Sequence, residues 1–259
     1  MIRRLTVALP VGDPDGAGPG ALVPPHPMRI LAVSDETDPT LSEHLDRTAL
    51  GPLDLLVSCG DLPPDYLSYL DGVLRVPFVF VRGNHDLDDV WEHEAGTLLP
   101  EPRRSDLVEI DGFDVVALDW PGRYRERTRS QDLGVWRHVI ALRLSAALRG
   151  RQPLIVVSHV SPHDADDVRD VYHRAFGGYH WLAEQLRPAL WLHGHTTPAS
   201  VPERVTHIGP TTCVNVTGAY LIELAPAHRP SEVVSRGAGR SAAPPADPRP
   251  AARSAPPRG

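Results

Sequence analysis

The sequence contains no lysine; all 26 of its basic residues are arginine. With 28 prolines and 21 glycines, that bias reflects GC-rich coding rather than a function. Cysteine is scarce as well. Cys59 and Cys213 are the only two, each inside an apolar strand-like run, which excludes a disulfide framework or a cysteine metal site and fits buried thiols in a reducing compartment. No apolar run approaches the roughly 18 residues that suggest a spanning helix. The longest, such as PLIVVS at 153–158, are strand-sized, so no membrane span is expected. Residues 1–27 begin with two arginines, but Pro and Asp then interrupt any signal-peptide core. These features predict a cytoplasmic protein. Neither an internal repeat nor an internal linker is visible, which favours one domain.

The formal net charge is −7. Residues 227–259 carry +4 and residues 1–27 are neutral, so the middle of the chain carries −11. A net-acidic body does not favour nucleic acid as a partner. Residues 1–27 lack periodicity and are expected to be a disordered extension, with Met28 as the alternative start. Residues 227–259, rich in Pro, Ala and Arg, bury too little apolar surface to offset ordering entropy and are expected to be a disordered tail. The domain is then residues 28–226.

Inside it, strand-length apolar runs are expected at 29–34, 54–58, 77–81, 106–110, 113–118, 153–158, 189–192, 212–216 and 219–224. Helical patterns fall at 41–50, 64–75, 131–149 and 178–186. Their alternation predicts an α/β layered fold. Asp111-Gly112 between two of the runs predicts a tight hairpin turn, so part of the sheet is antiparallel.

The ends of the strands carry the chemistry. The runs terminate in Ser34-Asp35, Cys59-Gly60-Asp61, Arg82-Gly83-Asn84-His85-Asp86, Ser158-His159 and His193-Gly194-His195. In open α/β sheets ligands bind beyond the carboxyl ends of the strands, so these residues should converge. Their oxygen and imidazole donors suit divalent Mn, Fe, Zn or Co, one ion or two. Singly, each is ordinary: an Asp after a strand is usually a cap or turn residue. The ordered set is what points to a metal site.

In this order and separation, SD, CGD, RGNHD, VSHVSP and LHGHTT resemble the calcineurin-like metallophosphoesterases over essentially all of residues 28–224. The resemblance implies a four-layer α/β/β/α sandwich with mixed sheets and a two-metal site. It makes Asp35 a ligand of the first metal, Asp61 the bridge, and Asn84, His159 and His195 ligands of the second. It makes His85 the residue facing the leaving group, with Asp86 orienting it. The implied activity is hydrolysis of phosphomonoester or phosphodiester bonds, in a small molecule or nucleotide, by a metal-activated hydroxide.

Two positions depart from the family pattern, which has histidine where Thr37 and Thr197 stand. Three outcomes follow. Glu36 or Asp38 substitutes as a ligand, making the site harder and more favourable to Mg or Mn; a single metal remains; or the protein has become a phosphoesterase-like module that binds metal or phosphate without turnover. The intact His85 and Asp86 rank the first two above the third. His193 also stands in a His-x-His spacing with His195, and it is placed in the second shell or facing substrate. Asp65 is expected as a helix N-terminal acid. Arg123 and Arg125 on one loop, and His173 and Arg174 on another, either line the cleft or sit in solvated loops. His93, His138 and His207 are expected to be structural.

Overall fold

Alternation along two central strands decides the layering. The chain is described here from a computed structural model, which covers residues 2–9, 27–42, 45–100, 107–122, 128–149, 154–163, 175–196 and 203–226. Strands β2 (Met28–Ser34) and β3 (Leu55–Ser58) are buried on both faces. Ile30, Ala32, Leu55 and Val57 face one apolar cluster, and Leu31, Val33 and Leu56 face another. A strand covered on both sides reads as a continuous apolar run, which is why these segments were legible as strands.

Two mixed sheets result. The first has β1 (Arg3–Leu9), β11 (Gly218–Pro226), β2, β3 and β4 (Phe78–Phe80) in that spatial order. The second orders β5 (Leu107–Ile110), β6 (Phe113–Leu118), β7 (Leu154–Ser158), β8 (Leu190–His193), β10 (Thr211–Asn215) and β9 (Val205–Ile208). The core between the sheets joins Ile30 and Val57 of the first to Phe113, Ile155 and Leu192 of the second. Helix α3 (Pro64–Leu74) and α4 (Asp89–Leu98) cover the first sheet's outer face through residues such as Leu67, Leu70 and Ala95. The outer face of the second is covered by α5 (Arg129–Leu148) and α6 (Gly177–Leu186) through Val135, Val139, Leu142 and Leu182. Helix, sheet, sheet, helix: this is the expected four-layer α/β/β/α sandwich.

The hairpin is also present. Ile110 pairs with Phe113 across a turn in which Asp111 and Gly112 take φ of 49° and 82°, the two positive values a two-residue hairpin turn needs.

Four elements differ from expectation, one being strand β9 (Val205–Ile208), which pairs antiparallel with β10 and was not foreseen. Arg3–Leu9 is not a featureless extension but strand β1, pairing in parallel with β11 from Arg3↔Tyr220 to Leu9↔Pro226. Its alternation buries Val7 and Leu9 and packs Leu5 against the core. Residues 10–26, the supposed tail and its 226/227 boundary lie outside the described residues. The helix expected over 41–50 is two short ones, α1 (Pro39–Ser42) and α2 (Arg47–Leu50). Asp46 restarts the helix as an N-cap, its Oδ1 accepting from the amides of Thr48 and Ala49 at 2.8 and 3.3 Å. Helix α4, not foreseen, starts on the same signal: Asp88 accepts from the amide of Trp91 at 2.8 Å.

Candidate metal centre

Strands β2, β3 and β4 run parallel, as do β6, β7 and β8. The loops at their carboxyl ends meet across the sandwich. The decisive convergence is on His159, which follows β7 and is 1% exposed. Its Nε2 lies 3.0 Å from Asn84 Oδ1, 3.0 Å from His195 Nδ1 and 3.2 Å from Asp61 Oδ2. On its other side Nδ1 is 2.7 Å from the Cys59 carbonyl. That carbonyl accepts only, so Nδ1 carries the proton and the Nε2 lone pair of the neutral ring points to the cluster.

The backbone is bent to achieve this. Of six non-glycine residues with positive φ among the described residues, three are Asp35 (61°), Asp61 (57°) and His195 (69°). Left-handed backbone is uncommon for residues with a Cβ and clusters where function over-determines it. Glycine makes the close approach. A Cβ on Gly83 would collide with the Asp61 carboxylate and lie 2.7 Å from His159 Cε1, and one on Gly60 would lie 2.9 Å from His159 Nδ1. Both positions therefore exclude any side chain.

Charge follows the same geometry. Burial pushes the Asp61 carboxyl up, but the His159 ring and the His85 amide outweigh it and hold Asp61 below its ordinary value. Burial pushes His159 down, yet the Asp61 and Asp35 carboxylates and the Cys59 carbonyl raise it to about 9. Asp35 moves the other way from Asp61: burial dominates and its carboxyl is raised.

Asp61, His159 and His195 each offer one ligand atom, all within 4.8 Å of one another. The Nε2 of the neutral ring thus faces Asn84 Oδ1, Asp61 Oδ2 and His195 Nδ1, a set of donor atoms that one cation can share. Metal bonds of about 2.0–2.2 Å place neighbouring ligand atoms roughly 3.0–3.5 Å apart, which the 3.0 and 3.2 Å separations around His159 Nε2 match. The residues present therefore fit a divalent ion.

The metal site is not marked by threonine replacements, contrary to the emphasis placed on Thr37 and Thr197 in the sequence. Its donor cluster retains histidines, His159 and His195, beside Asp61. Thr37 is exposed, and Thr197 lies outside the described residues.

The other expected residues fall as follows. Asp35 accepts from the His195 amide with both oxygens at 3.1 Å and from Thr217 Oγ1 at 3.2 Å. Asp86, buried, accepts with one oxygen from the amides of Asp61 (2.7 Å) and Gly83 (2.9 Å). Burial raises it to about 7. Its recorded bonds thus tie the two loops together. His85 is exposed. Glu36 is exposed too, and Asp38 is a turn acceptor, its Oδ1 taking the Thr40 amide at 2.8 Å. His193 is buried in β8 outside the cluster, and burial holds it near 4. Asp65 stands in the first turn of α3. Arg123, Arg125, His173 and Arg174 lie outside the described residues.

Sequence reasoning missed the supports. Arg82, beyond β4, donates to Asp119, beyond β6: its amide reaches Oδ1 at 2.6 Å and its Nε reaches Oδ2 at 3.0 Å. Next to Asp119, the Trp120 ring packs 6.2 Å from His159, 6.0 Å from His195 and 5.9 Å from Phe176. A polar residue after a second-sheet strand, as in LDW, was the available signal.

The description "Calcineurin-like phosphoesterase" matches residues 28–198. The chain belongs to the calcineurin-like phosphoesterase family. No curated protein matches the sequence. Among solved structures, one aligns with TM-score 0.50 at 15% identity, covering 74% of this chain and 91% of its own, a likeness of fold alone. Two others are weaker: the phosphopantetheinyl hydrolase PptH of Mycobacterium tuberculosis (TM-score 0.45, 14% identity, 75% and 90% covered) and Vacuolar Protein Sorting 29 of Cryptosporidium parvum (0.36, 15%, 74% and 75%).

Proposed function

We propose that this family member is a metal-dependent hydrolase of phosphomonoester or phosphodiester bonds. The observation that carries this reading is the convergence of Asp61, His159 and His195 within 4.8 Å, with Asn84 Oδ1 against the same imidazole nitrogen. These four residues would hold the ion, and Asp35 fixes the His195 backbone amide beside it. When bound, a divalent ion polarises a phosphoryl oxygen and makes water a nucleophile at neutral pH.

The chain's own groups do the rest. The Cys59 carbonyl fixes the His159 tautomer so that Nε2 faces inward. Asp86 gathers the amides of Asp61 and Gly83 and so sets the distance between the two loops. His85, exposed with its backbone amide on Asp61, is the residue that serves the departing oxygen as proton donor. Trp120 closes one side of the histidine pair with an apolar ring and keeps water from the back of the site.

Purified protein supplied with Mn or Mg is expected to turn over p-nitrophenyl phosphate or its diester analogue. His85→Ala should lower kcat roughly 10²–10⁴-fold, the usual contribution of a general acid, with metal content unchanged by elemental analysis. Wild-type protein that binds the ion yet hydrolyses no phosphomonoester or diester would instead be a metal-binding module, and the hydrolase reading would fall.

A further inference from the structure

Helix α5 is apolar on two opposite sides. Val135, Val139 and Leu142 are buried against the second sheet. The outward side carries Leu133, Trp136, Ile140, Leu144 and Leu148, which are 64, 37, 47, 64 and 91% exposed. Spacings of three and then four residues put these five on a single stripe along the helix. A helix in a water-facing layer ordinarily shows polar residues there, and one that is apolar all round is covered on both sides.

We propose that this stripe is the contact surface of a twofold-symmetric dimer of the chain. Its spacing suits a second copy. About an axis through Ile140, an antiparallel α5 sets Trp136 against Leu144 and brings Leu133 within one residue of Leu148, while Ile140 meets itself. An isologous interface requires this self-complementarity. Antiparallel packing also places each helix's positive end beside the other's negative end. Arg137 and Arg143 flank the stripe on opposite sides, where their stems extend the apolar rim and their heads stay in water.

The area is that of a weak, reversible dimer. A helix of 20 residues is about 30 Å long and, laid along its copy, covers roughly 500 Å² per protomer. Trp136 packs against Trp181 of α6 with ring centroids 5.6 Å apart, so the apolar surface continues onto that helix. The pair then approaches the ~1,200 Å² total at which specific interfaces begin. An anionic bilayer would cover the same side chains, but the chain's net charge of −7 opposes it.

Sedimentation of the full chain from roughly 1 to 100 µM should show a monomer–dimer equilibrium with a micromolar Kd. Ile140→Glu should raise that Kd at least about 100-fold, as expected for a charge at the centre of an interface, with circular dichroism and metal binding unchanged. Ile140→Cys should cross-link to a covalent dimer under mild oxidation, since the native Cys59 and Cys213 are buried and do not compete. A chain monomeric throughout the range overturns the proposal. So does a dimer that Ile140→Glu leaves intact, or a monomer that binds phosphatidylglycerol vesicles through these residues.

Discussion

Asp35 and Asp61 occupy equivalent places and have opposite electrostatics. Each follows a buried strand of the first sheet, and each turns through the left-handed region, at φ 61° and 57°. Asp61 faces the His159 ring and is held below its ordinary value; Asp35 faces an amide and a hydroxyl, and burial raises it. A strand-end position delivers a carboxylate to the rim, but the groups across the rim decide whether it is a donor for an ion or a strap for a loop. Asp61 is spent on the imidazole cluster. Asp35 is spent on the segment that carries His195.

Removing the centre of the cluster should have the largest effect. His159→Ala is expected to weaken metal binding roughly 10²–10³-fold, on the order of one ligand's share of a multi-ligand site, measured by titration calorimetry.

The next effect is pH. His159 sits near 9 in the folded, metal-free protein, above the ordinary value of about 6.5. Its pairing with Asp61 therefore stabilises the metal-free fold fully below pH ~6.5 and is lost as the pH rises through ~9. Metal affinity runs the opposite way, because an ion needs the unprotonated ring. It should climb up to about tenfold per pH unit until ~9 and then level off, with one proton displaced near neutrality in calorimetry across buffers of different ionisation enthalpy.

Asp35→Asn tests the strap itself. A residue that orients a ligand typically costs about 10–100-fold in metal affinity when changed, less than loss of the central histidine. If Asp35→Asn equals or exceeds His159→Ala, Asp35 is itself a ligand and the distinction between the two carboxylates disappears. Thr217→Val should be mildest. It removes a buried hydroxyl shared between Asp35 Oδ2 and the Thr196 carbonyl and should cost about 1 kcal/mol, seen as a fall of roughly 2–4 °C in Tm.

Much of the cluster around His159 was legible because it is locally written. Asp61, Asn84, His159 and His195 each follow an apolar run, and strand ends are where open sheets place ligands. The Asp111-Gly112 hairpin and the layer order were legible for the same local reason. What could not be read depends on distant partners. Thr217 meets Asp35 across 182 positions of sequence, and no periodicity announces such a contact. The resemblance made Asp86 a partner for His85; what no local pattern announced is that its Oδ2 also reaches back to the amides of Asp61 and Gly83. Asp38 looked like a spare ligand, and its oxygen is taken by Thr40 two residues on. Strand β1 escaped notice because the Pro and Gly that follow it masked a short alternation of Leu5, Val7 and Leu9.

The Arg82–Asp119 bridge joins a loop of one sheet to a loop of the other, and the donors are divided the same way. Asp61 and Asn84 belong to the first sheet's loops, His159 and His195 to the second's. Neither half possesses the chemistry. A chain in which the sheets have not docked would offer an ion only isolated carboxylates or isolated imidazoles. On the proposed metal-binding reading, loading would reward only the chain whose most distant contacts, the slowest to form, are already in place.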